Sequence, residues 1–286
     1  MPRVSRFGGP ALLLIKDTLD ALASIIFPAP CWICDDPLTS ASLIPICDLC
    51  ISEIQRYDGL QCEGCGRPFA SPVVAEAIQK ICYVCRRGAY GFERARSYGL
   101  YNDALSGAIL LLKYESLKRL GVWFADRLVP IVRDEFRGAE FDAIVPVPLH
   151  PSRQRERGYN QAELIARPLA KRLGIKMATY LLVRTRPRPP KSVLTLKERW
   201  ESVRGAYETR TGAKVDKLRI LLVDDVFTTG ATLDACARAL REAGAASVHG
   251  VTVARVVPEL TLPRAKRSLR ASNVVPGSTK EMAQAQ

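Results

Sequence analysis

Residues 219–233 read RILLVDDVFTTGATL. The apolar run 220–223 has the composition of a strand buried on both faces. Two carboxylates, Asp224 and Asp225, stand at its expected end. Val226 and Phe227 follow, then a turn of small and polar residues, Thr228, Thr229, Gly230, Ala231 and Thr232. Residues 233–243 have helical composition, and Gly244 suits the position just past a helix. A small polar turn that opens a helix presents backbone N–H groups and the positive end of a helix dipole, which together favour an anion. Threonine hydroxyls add donors, and Gly230 allows close approach or a positive φ. The carboxylates repel phosphate, so they suit sugar hydroxyls or a hydrated Mg²⁺. The pattern therefore reads as a site for a phosphorylated sugar at the carboxyl end of a strand in an open parallel sheet. The plainer alternative is a capped strand-to-helix connection with two exposed acids.

The chain around this stretch has 286 residues, room for one large domain or a domain with a smaller module. A hydrophobic share of 48% and a charged share of 25% are those of a globular protein. The net charge of +13 favours polyanionic partners or anionic substrates. No apolar run approaches the ~20 residues of a membrane span. The short run 11–15 is broken by Lys16 and Asp17, with no cleavage site of the secretory type, so the expected location is the cytoplasm.

Cytosolic thiols stay reduced, so patterned cysteines there point to metal. Eight of the nine cysteines fall as four C-x-x-C pairs: Cys31/Cys34, Cys47/Cys50, Cys62/Cys65 and Cys82/Cys85. Each pair has the spacing of a zinc knuckle, and four knuckles supply two zinc sites of four cysteines each. Pairing neighbouring knuckles closes shorter loops than a cross-brace, so loop entropy favours it modestly. With four protein thiolates each, the sites are structural, and the segment is expected to need its metal to fold while leaving the sugar site intact when stripped. Cys236 reads as a small buried side chain. Arg67, Arg86, Arg87, Arg94 and Arg96, with Trp32, Phe69, Tyr83 and Tyr90, form either a surface that stacks on bases or the packing around the knuckles. Upstream, residues 10–27 have the spacing of a short amphipathic helix.

Residues 104–114 and 120–136 read as helices, the second with Pro130 inside it, and 141–147 as a strand broken by Pro146 and Pro148. The next stretch, 146–161, is PVPLHPSRQRERGYNQ. It is expected to open as a proline-shaped loop carrying Arg153, Arg155 and Arg157, before a helix at 161–173 that Gly174 ends. Guanidinium groups grip phosphate oxygens bidentately, so this loop and the 228–232 turn make a clamp for a molecule phosphorylated at both ends. A solvated basic loop paired locally with Glu156 is the alternative. His150 is a candidate ligand contact, while His249 falls inside an expected strand at 247–254. Residues 184–207, rich in proline and arginine, read as a cationic lid or a loop that touches nucleic acid. The polar, basic end after Pro258 is expected to be a disordered tail.

The string ILLVDDVFTTGAT at 220–232 resembles the PRPP-binding motif of type I phosphoribosyltransferases. Together with FPAPCWIC, CEGCGRPF, LLLKY at 110–114, VPVPLHPSRQRERGYNQAELIA and KERWESVRGAY, it makes the chain similar to the ComF family over roughly residues 19–257. That resemblance implies an α/β, type I phosphoribosyltransferase-like fold: a mostly parallel sheet flanked by helices, behind an N-terminal double zinc ribbon. The expected division is a lead-in at 1–30, the double ribbon at 31–88, the phosphoribosyltransferase-like domain at 91–257 and the tail at 258–286. The resemblance also implies PRPP binding with Mg²⁺ and a competence role in handling single-stranded DNA, with the uptake machinery as partner. It places Asp224 and Asp225 on the ribose, 228–232 around the 5′-phosphate, and Val147, Pro148 and Leu149 on the pyrophosphate side; Arg153 and Arg157 join them as substrate-binding candidates from the reading of the basic loop. Lys191-Ser192, where the lid often carries Gln-Ser, and Ser202, where Asn commonly precedes Val-x-Gly, depart from the family pattern. Two function classes follow: a phosphoribosyltransferase acting on a nitrogen acceptor, or a non-catalytic nucleic-acid-binding protein that retains a phosphosugar pocket.

Overall fold

The structure is a computed structural model that describes residues 29–38, 43–187 and 195–257. The expected helix at 10–27, the middle of the cationic segment at 188–194 and the tail at 258–286 lie outside the described residues. The chain divides into two compact units, the first reaching Cys50 and the second beginning at Ile51.

The first unit contains one four-cysteine cluster. Its leading knuckle is closed by a bridge between Pro30 and Pro37 and by the Cys31 N–H, which donates to Asp36 O at 2.7 Å. The same pattern opens the second unit, where Gln61 bridges Pro68 and the Cys62 N–H donates to Arg67 O at 2.8 Å. Each cluster is completed by a short helix, α1 (Asp48–Glu53) for one and α3 (Tyr83–Arg86) for the other, with α2 (Pro72–Ala77) before the latter. The four knuckles thus pair as sequence neighbours, the arrangement with the shorter loops.

The sheet then begins. In chain order the elements are β1 (Arg94–Leu100), α4 (Asp103–Tyr114), α5 (Arg119–Glu135), β2 (Ala143–Pro146), α6 (Pro151–Arg157), α7 (Gln161–Leu173), β3 (Lys176–Met177), β4 (Leu182–Arg184), α8 (Leu196–Glu201), β5 (Tyr207–Thr209), β6 (Arg219–Phe227), α9 (Ala231–Glu242) and β7 (Ser247–Arg255). Five parallel strands lie in the order β1-β7-β6-β2-β3, and β4 pairs antiparallel with β5 apart from them. Parallel strands are buried on both faces, which is why β2 and the first half of β6 read as continuous apolar runs, while β7 is buried along most of its length although His249 and Thr252 interrupt its apolar residues. Ala143, Val145, Ile220, Leu222 and Val248 share one buried cluster with Leu233, Cys236 and Leu240 of α9. The alternate residues Ile144, Leu221 and Val223 are fully buried on the opposite face, as the two-residue period of a strand requires. Cys236 is a core side chain, as expected, and burial pushes its thiol pKa well up.

The second four-cysteine cluster belongs to this core. Cys62, Cys65 and Cys82 sit in the same buried cluster as Val145, Leu222 and Phe227. The expectation that the whole cysteine segment is separable from the sugar site is therefore corrected for 62–85.

Local boundaries differ from the sequence reading in three places. β6 runs past both acids to Phe227, because its register with β7 continues to Phe227 opposite Arg255. Pro146 closes β2 opposite Val223 instead of breaking it, since a terminal strand residue can do without its N–H. The expected open loop around Arg153 is the helix α6. His150 caps it, Pro151 occupies the first turn, and Gly158 ends it at φ 79°.

Candidate functional site

β6 is the middle strand of the sheet, and its carboxyl half carries Asp224 and Asp225, which are 8% and 5% exposed. Asp224 Oδ1 accepts the N–H of Asp225 at 2.8 Å. Burial, aided by the neighbouring Asp225, pushes the Asp224 carboxyl well above its ordinary range. Burial is again the largest influence on Asp225 and acts in the same direction, but the ammonium of Lys113 and the hydrogen bonds with Asp224 and Lys113 together hold Asp225 below its usual value. Lys113 Nζ forms an ion pair with Asp225 Oδ2, reaching the strand from the last turn of α4. The site therefore contains one neutral-leaning carboxyl, one carboxylate and one cation, all held by the scaffold.

Directly after β6, the turn closes onto α9. Gly230 caps the helix at φ 83°, in the left-handed region that favours glycine. The Thr229 hydroxyl accepts the Ala231 N–H at 3.3 Å, and the Asp234 N–H donates to Gly230 O at 2.8 Å. Thr228 is exposed, while Thr229 and Thr232 are half-buried. The first N–H groups of a helix have no partners within it, and here they open at the end of the acid-bearing strand.

The 147–149 stretch lies beside this end. Val147 donates its N–H to Val223 O at 2.9 Å, and buried Asn160 fixes Val147 O through Nδ2 at 3.0 Å. Pro148 and Leu149 continue half-buried toward α6. The arginines of α6 are locally engaged: Arg153 with Glu156 at 2.6 Å, and Arg157 with Gln161 and, at 5.2 Å, over the ring of Tyr114. The structure thus brings together Val147, Asp224, Asp225 and the turn, and gives Arg153 and Arg157 partners on their own side. His150 caps α6 and hydrogen-bonds Ser152 Oγ at 2.7 Å. His249 packs against Phe136 and Phe141 at ring distances of 5.5 Å.

Both four-cysteine clusters have metal-binding geometry. Within each, the four sulfurs lie within 4.8 Å of one another. Separations of 3.9 Å for Cys31–Cys50, 3.6 Å for Cys34–Cys47 and 3.6 Å for Cys65–Cys82 bracket the ~3.8 Å edge of a tetrahedron built on ~2.3 Å zinc–sulfur bonds. Backbone N–H groups also point at sulfur, from Cys47 to Cys31 at 3.3 Å and from Cys82 to Cys62 at 3.3 Å. Such donors stabilise thiolates.

The aromatic residues near the knuckles divide between the two roles. Tyr90 and Phe69 pack against the core, whereas Trp32 and Tyr83 are 43% and 70% exposed, with Arg87 5.4 Å over the Tyr83 ring. Arg96 is committed to structure: it is 5% exposed, pairs with Glu135 at 2.8 Å and donates to the carbonyls of Cys62, Glu63 and Ala95.

A phosphoribosyl transferase domain model matches residues 160–279, which include β6, the turn and α9. The DNA utilization protein YhgH of Salmonella typhimurium is 31% identical over 225 residues, 78% of this chain and 95% of that protein. Competence protein F of Haemophilus influenzae is 28% identical over 215 residues, 74% of this chain and 85% of its own length. The chain belongs to the ComF family. Competence protein ComFC of Bacillus subtilis is a further relative, 29% identical over 73% of this chain and 84% of its own. Among solved structures, the adenine phosphoribosyltransferase of Leishmania tarentolae covers 53% of this chain and 74% of its own, at 15% identity and a TM-score of 0.32. The ComF fold here is the type I phosphoribosyltransferase-like sheet with two four-cysteine clusters ahead of it. Among the described residues, no helix is long and apolar enough to cross a membrane.

Two residues of the site escape a reading of the sequence. Lys113 stands out there only as part of the LLLKY string, and its approach to Asp225 depends on how α4 packs. Tyr90 stands out only as a base-stacking or knuckle-packing residue, yet its hydroxyl donates to Thr229 O at 2.9 Å. A lysine in the last turn of an otherwise apolar helix is the one available signal for the first.

Proposed function

We propose that this ComF protein binds PRPP, or a closely related phosphosugar, at the carboxyl end of β6 and serves in the handling of single-stranded DNA during uptake or utilization. The observation that carries the reading is the continuity of β6 into α9. Two buried acids stand immediately ahead of a left-handed glycine turn at a helix N-terminus. Asp224 and Asp225 take the ribose hydroxyls, residues 228–232 cradle the 5′-phosphate, and Val147, Pro148 and Leu149 line the pyrophosphate side, with Arg153 and Arg157 beyond. Mg²⁺ suits this set as the companion of the diphosphate, since it retains waters and needs only one or two carboxylates. Zinc is the metal assigned to both four-cysteine clusters. The names of the relatives, DNA utilization protein and competence protein F, support the DNA-related role, and the cytoplasm is the compartment it implies.

In catalytic form the chemistry is substitution at ribose C1. The bond from C1 to the pyrophosphate oxygen breaks, a bond to a nitrogen acceptor forms, and the nitrogen loses a proton. The protein supplies orientation and charge placement without a covalent intermediate. A binding-only reading is favoured by a separate observation, the exposed Trp32 and Tyr83 in a chain of net charge +13. Aromatic rings beside cations are the usual platform for single strands.

Titration calorimetry of PRPP with Mg²⁺, with and without single-stranded DNA, tests the proposal. Saturable binding that disappears in an Asp224→Asn, Asp225→Asn variant supports the pocket. Pyrophosphate release on adding an acceptor separates enzyme from binder. Absence of PRPP binding by the wild-type chain would overturn the phosphosugar reading.

A further inference from the structure

The segment that leaves the second four-cysteine cluster also forms the wall of the turn at 228–232. Tyr90 Oη donates to Thr229 O at 2.9 Å. The next residue, Gly91, donates its N–H to Asp234 Oδ1 at 2.6 Å, and Asp234 is buried in the first turn of α9. Arg238 on the same helix returns a hydrogen bond to Ala89 O at 2.9 Å. The Tyr90 ring stacks on Phe92 at 4.6 Å and on Trp200 of α8 at 6.0 Å, and meets Phe227 edge-on at 6.1 Å.

The cluster itself is tied to the same place from the other side. Arg255 lies opposite Phe227 in the sheet, covers the Phe227 ring at 4.1 Å and donates to Cys65 O at 2.6 Å. Ala95 at the start of β1 donates its N–H to Gly64 O at 2.8 Å.

The consequence for the turn is a matter of peptide geometry. In a trans peptide the carbonyl and the following N–H point in opposite directions. With Thr229 O held by Tyr90, the Gly230 N–H is directed away from Tyr90.

We propose that Tyr90 is a positioning residue for this turn, and that metal in the Cys62, Cys65, Cys82 and Cys85 cluster holds Tyr90 in place. The cluster then sets the affinity for the phosphate end of the ligand. This rests on the reading of 228–232 as the phosphate subsite.

The test uses the full chain. Tyr90→Phe removes only the hydroxyl and keeps the stacked ring, and Cys85→Ser removes one ligand of the second cluster. Three quantities are measured: hydrogen exchange of the amides at 229–234, affinity for ribose 5-phosphate, and affinity for inorganic pyrophosphate. In Tyr90→Phe, exchange at the turn rises and ribose 5-phosphate binding weakens about threefold to tenfold, the loss of one hydrogen bond. Bound zinc and pyrophosphate affinity stay at the wild-type level. Cys85→Ser binds one zinc fewer and shows the same rise in exchange. Unchanged exchange in Tyr90→Phe, or equal weakening of both ligands, overturns the positioning role. Unchanged exchange in Cys85→Ser overturns the metal dependence. If the wild-type chain takes no ribose 5-phosphate, the phosphate subsite falls, and exchange at the turn alone decides for or against Tyr90.

Discussion

Lys113 and Asp225 form an ion pair between the last turn of α4 and the middle strand of the sheet, with side chains 21% and 7% exposed. Removing one member of such a pair strands the other charge in the protein. Lys113→Met is therefore expected to destabilise the fold by about 3 kcal/mol, near the low end for a broken buried pair because Lys113 retains some solvent. The same change lets the Asp225 pKa rise, since the ammonium is the largest of the influences that hold it down against burial. Urea unfolding gives the measurement. Adding Asp225→Asn to Lys113→Met recovers much of the loss if the stranded charge is its cause. An unchanged midpoint in the single variant would show that the pair carries no structural weight.

Gly230 meets two separate constraints. Its φ of 83° is costly for any side chain, and a Cβ there would lie 2.6 Å from the Phe227 ring and 2.7 Å from that of Tyr90. Gly230→Ala should cost at least about 1–3 kcal/mol in strain and displace the turn, so PRPP binding falls below detection. Gly212→Ala, another positive-φ site but with open space around it, serves as the control and leaves PRPP binding intact.

Much of the fold is legible in the sequence because its signals are local. The helices at 103–114, 119–135, 161–173 and 231–242 fall within a few residues of their expected bounds, aided by Asn160 and Gly174 at the ends of one of them. The eight clustered cysteines follow from their spacing, whereas loop entropy only leans toward the neighbour pairing that the structure shows. The features that the sequence hides depend on distant partners. β6 outlasts its apolar run because β7 offers it a register through Phe227, and no property of Asp224 or Asp225 announces that. The Lys113–Asp225 pair and the Tyr90–Thr229 bond each join residues more than a hundred positions apart. The 151–157 stretch reads as a loop because of the prolines around it, although Pro151 sits where a helix tolerates proline best.

The two four-cysteine clusters should differ in what their loss does. Cys34 lies in the unit that ends at Cys50, whereas Cys65 is 1% exposed within the core that also holds Val145 and Leu222. Cys34→Ser should drop zinc from two to one per chain and leave thermal unfolding of the sheet domain within a few degrees of wild type. Cys65→Ser should remove one zinc as well and lower that transition sharply, because a vacated site there opens the shared core. Zinc content by atomic absorption, read beside calorimetry, distinguishes the two. Equal effects on the sheet transition would contradict the assignment.

His249 makes stability depend on pH in a stated direction. Its side chain is 13% exposed, packed against Phe136 and Phe141, with Nε2 3.8 Å from Glu93. Burial lowers its pKa below the ordinary 6.5; Glu93 opposes this and Arg94 adds to it. The unfolded chain therefore takes up the proton first as pH falls. The contribution of His249 is fully present above pH 6.5 and is lost as pH drops from there toward the folded value, at no more than about 1.4 kcal/mol per pH unit. His249→Leu keeps an apolar group against the two rings and cannot protonate. Between pH 6.5 and 5, the urea midpoint of the wild-type chain should fall more steeply than that of the variant. Parallel profiles over that interval would mean that His249 does not titrate differently in the folded and unfolded chains.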